Sequence, residues 1–117
     1  MVLVIHRCQN LLACDDNELS DPYVRMYLLP ERSSSTKRKT QVVKDNLNPI
    51  YDESFDWNMS ATEAATKQIE ILVKNQVGMF SKNRTRMGQL ILDLSKIDLA
   101  KATTDWYELQ EPEDKDD

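Results

Sequence analysis

Three stretches of this chain carry side chains of the type and spacing that ion chemistry needs. Asp15, Asp16, Glu18 and Asp21 place four carboxylates within seven residues, the oxygen-rich loop that a hard cation such as calcium takes as ligands. Thr36 to Lys44 reads TKRKTQVVK; extended, it puts Lys37, Lys39 and Gln41 on one face and Arg38 and Thr40 on the other. Clustered cations draw a chain to an anionic leaflet, by about 1 kcal/mol for each Lys or Arg near the surface, and Arg also grips phosphate in two places. Residues 75–86 set Gly78, Met79 and Phe80 ahead of Lys82 and Arg84. That is an apolar tip with a basic collar, suited to entering a membrane interface without calcium; alternatively Phe80 folds back and plugs the end of the domain.

Other chemistries find no residues. Cys8 and Cys14 lack the spacing of a zinc site and His6 is the single histidine, so two reduced thiols are expected. There is no nucleophile–base–acid set, and two glycines in the whole chain leave no phosphate-cradling loop. The expectation is a non-enzyme without cofactor. Nucleic acid is not expected as a partner, because no aromatic row interleaves the bases and the body has no net positive charge. The net charge of −5 sits mostly in the tail Glu111 to Asp117, with five acids and one Lys, leaving 15 acids against 14 bases before it. Residues 111–117 therefore read as an acidic, disordered tail behind one domain over 1–110.

The elements that must hold these side chains are short strands. With 117 residues, 40% apolar and 30% charged, the chain has material for one core. Val2 to Cys8 is rich in β-branched residues. Pro22 suits the first position after a loop, so the next strand runs Tyr23 to Leu29, with Val24, Met26 and Leu28 inward and Tyr23, Arg25 and Tyr27 outward. Lys39 to Lys44, Glu53 to Met59, Gln68 to Lys74, Gly88 to Leu94 and Asp105 to Gln110 follow by the same period-2 signal. Leu47-Asn48-Pro49 is a tight turn, Ala61 to Thr66 a short helical turn, and Ser95 the N-cap of a short helix to Ala100. Seven short strands spaced this way predict an all-β, antiparallel β-sandwich. The apolar runs are far short of a bilayer span and the start lacks a signal-peptide pattern, so a soluble, cytoplasmic protein is expected.

SDPYVRMYLLP, a basic strand ending in LNP, Tyr51-Asp52-Glu53-Ser54-Phe55 after it and a closing Trp106-Tyr107-Glu108-Leu109 together resemble the C2 domain family over residues 2 to 110. VRMYLLPE, LVKN followed by the FSK loop, and LILDLSKIDLAK before WYEL resemble the carboxy-terminal C2 domains of the extended synaptotagmins, which tether endoplasmic reticulum to plasma membrane and carry lipid-transfer modules. The resemblance implies a C2-type sandwich whose first family strand is missing ahead of Val2. A neighbouring strand is then an exposed edge, and an edge-strand dimer or protein partner is expected there. It implies a phosphoinositide surface at Lys37, Arg38, Lys39 and Lys44, with Tyr23 on the adjacent strand, on a peripheral protein of the plasma membrane or its contacts with the endoplasmic reticulum. It also implies a calcium site, for which Asp15, Asp21 and Asn75 are the matching positions. Where calcium-binding relatives place Asp-x-Asp this chain has Asn75, Gln76 and Val77, and Lys82, Arg84 and Arg86 add positive charge, so the site is degenerate and binding far weaker than micromolar is expected. The expected function is calcium-independent docking on anionic phosphoinositide membrane; a protein-interaction scaffold and weak calcium-dependent phospholipid binding through the first loop are the alternatives.

Overall fold

The computed structural model of the chain describes residues 1–13, 20–78 and 85–111. Asp15, Met79, Phe80, Lys82, Arg84 and nearly all of the acidic tail lie outside the described residues. Among those described, the strands are β1 (Val2–Arg7), β2 (Pro22–Leu29), β3 (Arg38–Lys39), β4 (Ile50–Asp56), β5 (Gln68–Asn75) and β6 (Arg86–Asp93), with one short helix, α1 (Ala61–Ala64). They form two antiparallel sheets, β1–β4 and β3–β2–β5–β6. This is the expected all-β antiparallel sandwich, with six strands where the sequence suggested seven. Among the described residues no helix is long and apolar enough to cross a membrane.

The inward face of β2 (Val24, Met26, Leu28) meets that of β5 (Ile69, Ile71, Val73) in register: Val24 lies opposite Val73, Met26 opposite Ile71 and Leu28 opposite Ile69. Directly opposed residues point to the same side of a sheet, so these six make one apolar surface. It is closed by Leu92 of β6 and, from the other sheet, by Leu3, Ile5, Tyr51 and Phe55, with Trp57 just beyond β4. Met26 is fully buried.

Three expected elements come out shorter or shifted. The strand expected over Lys39 to Lys44 is regular only at Arg38–Lys39. Thr40 ends it, because its buried Oγ1 accepts the Val24 N–H at 2.9 Å, replacing a backbone acceptor in the ladder; pairing resumes where the Val43 N–H donates to Pro22 O. The expected strand at Asp105 to Gln110 reduces to one bridge, Gln89 with Gln110. Trp106 instead lies under the Arg7 guanidinium, 5.1 Å from the ring centre, and Leu109 lodges against Gly88, where an added Cβ would fall 2.9 Å from the leucine Cβ. The expected helix from Ser95 to Ala100 is a single 3-10 turn, Leu94–Lys96, capped by Asp93, whose carboxylate accepts from Ser95 N. Two local readings hold: Asn46 and Asn48 tie the turn before Pro49, accepting from the Asn48 and Asn10 amides, and the short helical turn expected over Ala61 to Thr66 is α1, Ala61–Ala64, where Ser60 accepts from Glu63 N.

Candidate functional site

The outer face of the larger sheet is built by register. Arg25 of β2 lies opposite Lys39 of β3, Tyr23 opposite Lys74 of β5, and Lys74 opposite Arg86 of β6. Since opposed residues share a side, Tyr23, Arg25, Lys39, Lys74 and Arg86 all project away from the core. Lys37, two residues before Lys39, joins them. Leu72 lies between Arg25 and Gln89 on this same outward side and is yet 2% exposed. The result is a cradle whose floor holds Leu72 and the buried Arg25, 6% exposed, with Lys37, Lys39, Lys74 and Arg86 around it.

The electrostatics agree. Lys74 is held below the ordinary lysine value, first by burial and then by the positive charges of Arg25, Arg86 and Lys37. Cations repel one another at this range, and an anion placed among them would relieve that repulsion. At its lower end, a hollow of about 560 Å³ is lined by Tyr23, Lys39, Thr40, Gln41, Val42, Glu53 and Gln76. At the upper end, Arg32 donates through Nε and Nη2 to the Glu70 carboxylate at 3.2–3.3 Å and lies 4.6 Å from the Tyr27 ring centre. That pair neutralises the border of the cationic face.

Of the residues read from sequence, Tyr23, Lys37 and Lys39 come together here. Arg38 does not. It sits opposite Met26, on the core side, and its guanidinium donates to Asp56 O at 2.9 and 3.2 Å, to Lys37 O at 2.9 Å and to Ser35 O at 3.1 Å, over the Trp57 ring at 5.2 Å. Its role is to join the β3 edge to the end of β4. Lys44 follows the irregular crossing and is exposed beside Asp45, whose amide donates to Asp21 Oδ1, so it belongs to the loop end and not to the cradle. Arg25, Lys74 and Arg86 were missed as site residues. Period 2 already placed Arg25 beside Tyr23, and Arg86 read as loop until the bulge at Val73–Lys74 carried β6 back to it.

In the described part of the calcium position both side chains are already engaged. Asn75, 3% exposed, uses its side-chain oxygen to accept the Asp21 N–H at 2.9 Å, and Asp21 Oδ1 accepts the Asp45 N–H at 2.9 Å. Calcium takes about six to eight oxygens; here one carboxylate and one amide oxygen already serve the backbone that carries them. Among the described residues no three acidic, His or Cys side chains cluster for a metal. The Asp21 carboxylate thus serves as a cap for a turn amide, that of Asp45. Nearby, burial pushes the Cys8 thiol up to about 11 and raises the Tyr51 phenol, whose OH donates to Pro22 O at 2.7 Å; both serve packing.

The C2 domain family matches residues 1–109. Extended synaptotagmin-2 of Homo sapiens is 43% identical over 111 residues, covering 95% of this chain and 12% of that protein. Extended synaptotagmin-3 of Xenopus tropicalis is 43% identical over 109 residues, 93% of this chain and 12% of that one. The chain thus spans about an eighth of the length of such relatives. The solution structure of the third C2 domain of KIAA1228 protein superposes with a TM-score of 0.84 at 44% identity, covering 94% of this chain and 77% of that one. A C2 domain of Drosophila RIM superposes at 0.79 with 22% identity, over 93% and 85%, a likeness of fold.

Proposed function

We propose, for a chain that belongs to the C2 domain family and is homologous to C2 domains of extended synaptotagmins, that it is a non-catalytic module docking on anionic phosphoinositide membrane through the outer face of its larger sheet. The observation that carries this is the convergence of five cations, Arg25, Lys37, Lys39, Lys74 and Arg86, on one side of β3–β2–β5–β6, with the charges around Lys74 lowering its affinity for a proton. A multiply charged head group brings negative charge to that face, and Tyr23 offers a hydroxyl at the edge of the hollow. Docking does not depend on calcium, since Asp21 and Asn75 are engaged with backbone amides. The module works at the plasma membrane or its contacts with the endoplasmic reticulum, as part of a membrane-tethering or lipid-transfer protein. Met79, Phe80, Lys82 and Arg84 add a second membrane contact.

The test is co-sedimentation with phosphatidylcholine vesicles with and without phosphatidylinositol 4,5-bisphosphate, each with calcium and with chelator. Binding that requires the phosphoinositide and ignores calcium supports the reading. Binding that appears only with calcium, or that ignores head-group charge, defeats it.

A second contact is favoured by one observation: β1 pairs with β4 alone among the described strands, leaving an open edge beside the exposed Val2 and Val4. An open edge is a template for another extended chain. Edge-to-edge association with a second copy is proposed there, and a strictly monomeric chain at high concentration by sedimentation equilibrium argues against it.

A further inference from the structure

We infer that Ser35 is a phosphorylation site whose modification switches off the cationic face; the inference rests on the docking reading above. The link between β2 and β3 presents Ser33, Ser34 and Ser35 consecutively, all exposed, as a 3-10 turn over Ser34–Thr36. Cations flank it on both sides: Arg32 before, Lys37, Arg38 and Lys39 after. Such a segment complements the acidic substrate groove of a basophilic protein kinase.

Among the other hydroxyls nearby, Ser33 and Ser34 are exposed as Ser35 is, whereas the rest are bonded or buried. Thr36 Oγ1 donates to Ser33 O at 2.8 Å and accepts from Leu28 N at 3.2 Å, tying the turn to β2. Thr40 and Ser20 are buried. The Ser35 hydroxyl bonds with that of Ser33 at 2.8 Å, on the surface, an interaction that water replaces readily. Ser35 also has the Arg38 guanidinium on its own carbonyl, at 3.1 Å, so a cation already stands within reach of a phosphate placed there.

In the transfer, Ser35 Oγ bonds to the γ-phosphorus of ATP, the bond from that phosphorus to the bridging oxygen of ADP breaks, and the hydroxyl proton passes to the kinase's base. The product carries a charge of about −1.5 to −2 at neutral pH. Two residues of chain span at most about 7 Å, so the Cα atoms of Ser35 and Lys37 lie within a Debye length of about 8 Å of each other. The phosphate offsets roughly two of the five cations, and at about fivefold in affinity for each the loss of binding is on the order of 25-fold.

The full chain is treated with ATP and the catalytic subunit of cyclic-AMP-dependent protein kinase, mapped by mass spectrometry, and applied to vesicles of phosphatidylcholine with phosphatidylinositol 4,5-bisphosphate. Expected are phosphate on Ser35, none at that site in Ser35→Ala, and binding weakened about tenfold or more in the phosphorylated chain, with Ser35→Gln binding like wild type. Absence of phosphate at Ser35, or a phosphorylated chain that binds within about twofold of the unmodified one, overturns the switch alone. An unmodified chain that ignores the vesicles overturns the docking reading and the switch with it.

Discussion

Lys37 and Arg38 are neighbours of like charge on opposite sides of a strand, and the structure assigns them opposite duties. Lys37 is exposed and faces the cradle; Arg38 makes four hydrogen bonds to carbonyls and covers Trp57. Lys37→Gln therefore removes one cation from the docking face, about 1 kcal/mol or roughly fivefold in vesicle affinity, and Lys37→Gln with Lys39→Gln together roughly 30-fold. Neither change moves stability by more than about 0.5 kcal/mol, as expected for surface substitutions. Arg38→Gln loses the guanidinium bonds to Asp56 O and the ring contact, for about 2 kcal/mol of stability, and leaves vesicle affinity within about twofold at temperatures where the variant is folded. Urea unfolding and co-sedimentation, run on the same three variants, separate the two effects. A folded Arg38→Gln that loses as much affinity as Lys37→Gln would refute the assignment of faces, as would a Lys37/Lys39 double variant within about twofold of wild type.

Three further outcomes follow from the packing and the charges. Gly88→Ala puts a methyl 2.9 Å from the Leu109 Cβ and is expected to lower stability by about 1–3 kcal/mol; a urea midpoint equal to that of the wild type would contradict the contact. Asn75→Ala removes the acceptor for the Asp21 amide at a cost of about 1–3 kcal/mol, while leaving phosphoinositide binding and its indifference to calcium unchanged in the folded variant. Lys74 holds its proton less tightly in the folded chain than the ordinary lysine value of 10.5. The unfolded chain therefore binds more protons between those two values, and the stability contributed rises as pH climbs through the folded value towards 10.5. Vesicle affinity moves the other way, falling in that window as one cation of the face is lost; Lys74→Arg removes both of these contributions, which the difference between the two chains in urea midpoint and in co-sedimentation against pH will show.

The strands that make the core were legible because each has one side to hide. The alternation in β2 and β5 fixed which residues face inward, and Asp21-Pro22 fixed where β2 starts. The side chains at Lys39 to Lys44 looked equally regular, but the Thr40 hydroxyl takes the place of a backbone acceptor, and no side-chain pattern announces that. Arg38 alternates correctly with Lys37 and Lys39; what no pattern reveals is the nearby carbonyl of Asp56 that makes the inward position habitable for a guanidinium. Arg86 reads as loop because the bulge that brings it opposite Lys74 is a property of the pairing of two strands and not of either one. Trp106 and Leu109 suggested a last strand by their apolar character, yet each packs individually, on Arg7 and on Gly88, and only Gln110 pairs with a strand, at Gln89.

Whether the outer face of β3–β2–β5–β6 receives the anionic head group is decided by amide and side-chain NMR of the chain titrated with inositol 1,4,5-trisphosphate in chelator. Saturable shifts are expected at Tyr23, Arg25, Lys37, Lys39, Lys74 and Arg86, with the β1–β4 sheet silent. Shifts confined to the Asp21 and Asn75 end, or to β1 and β4, would contradict docking through this face.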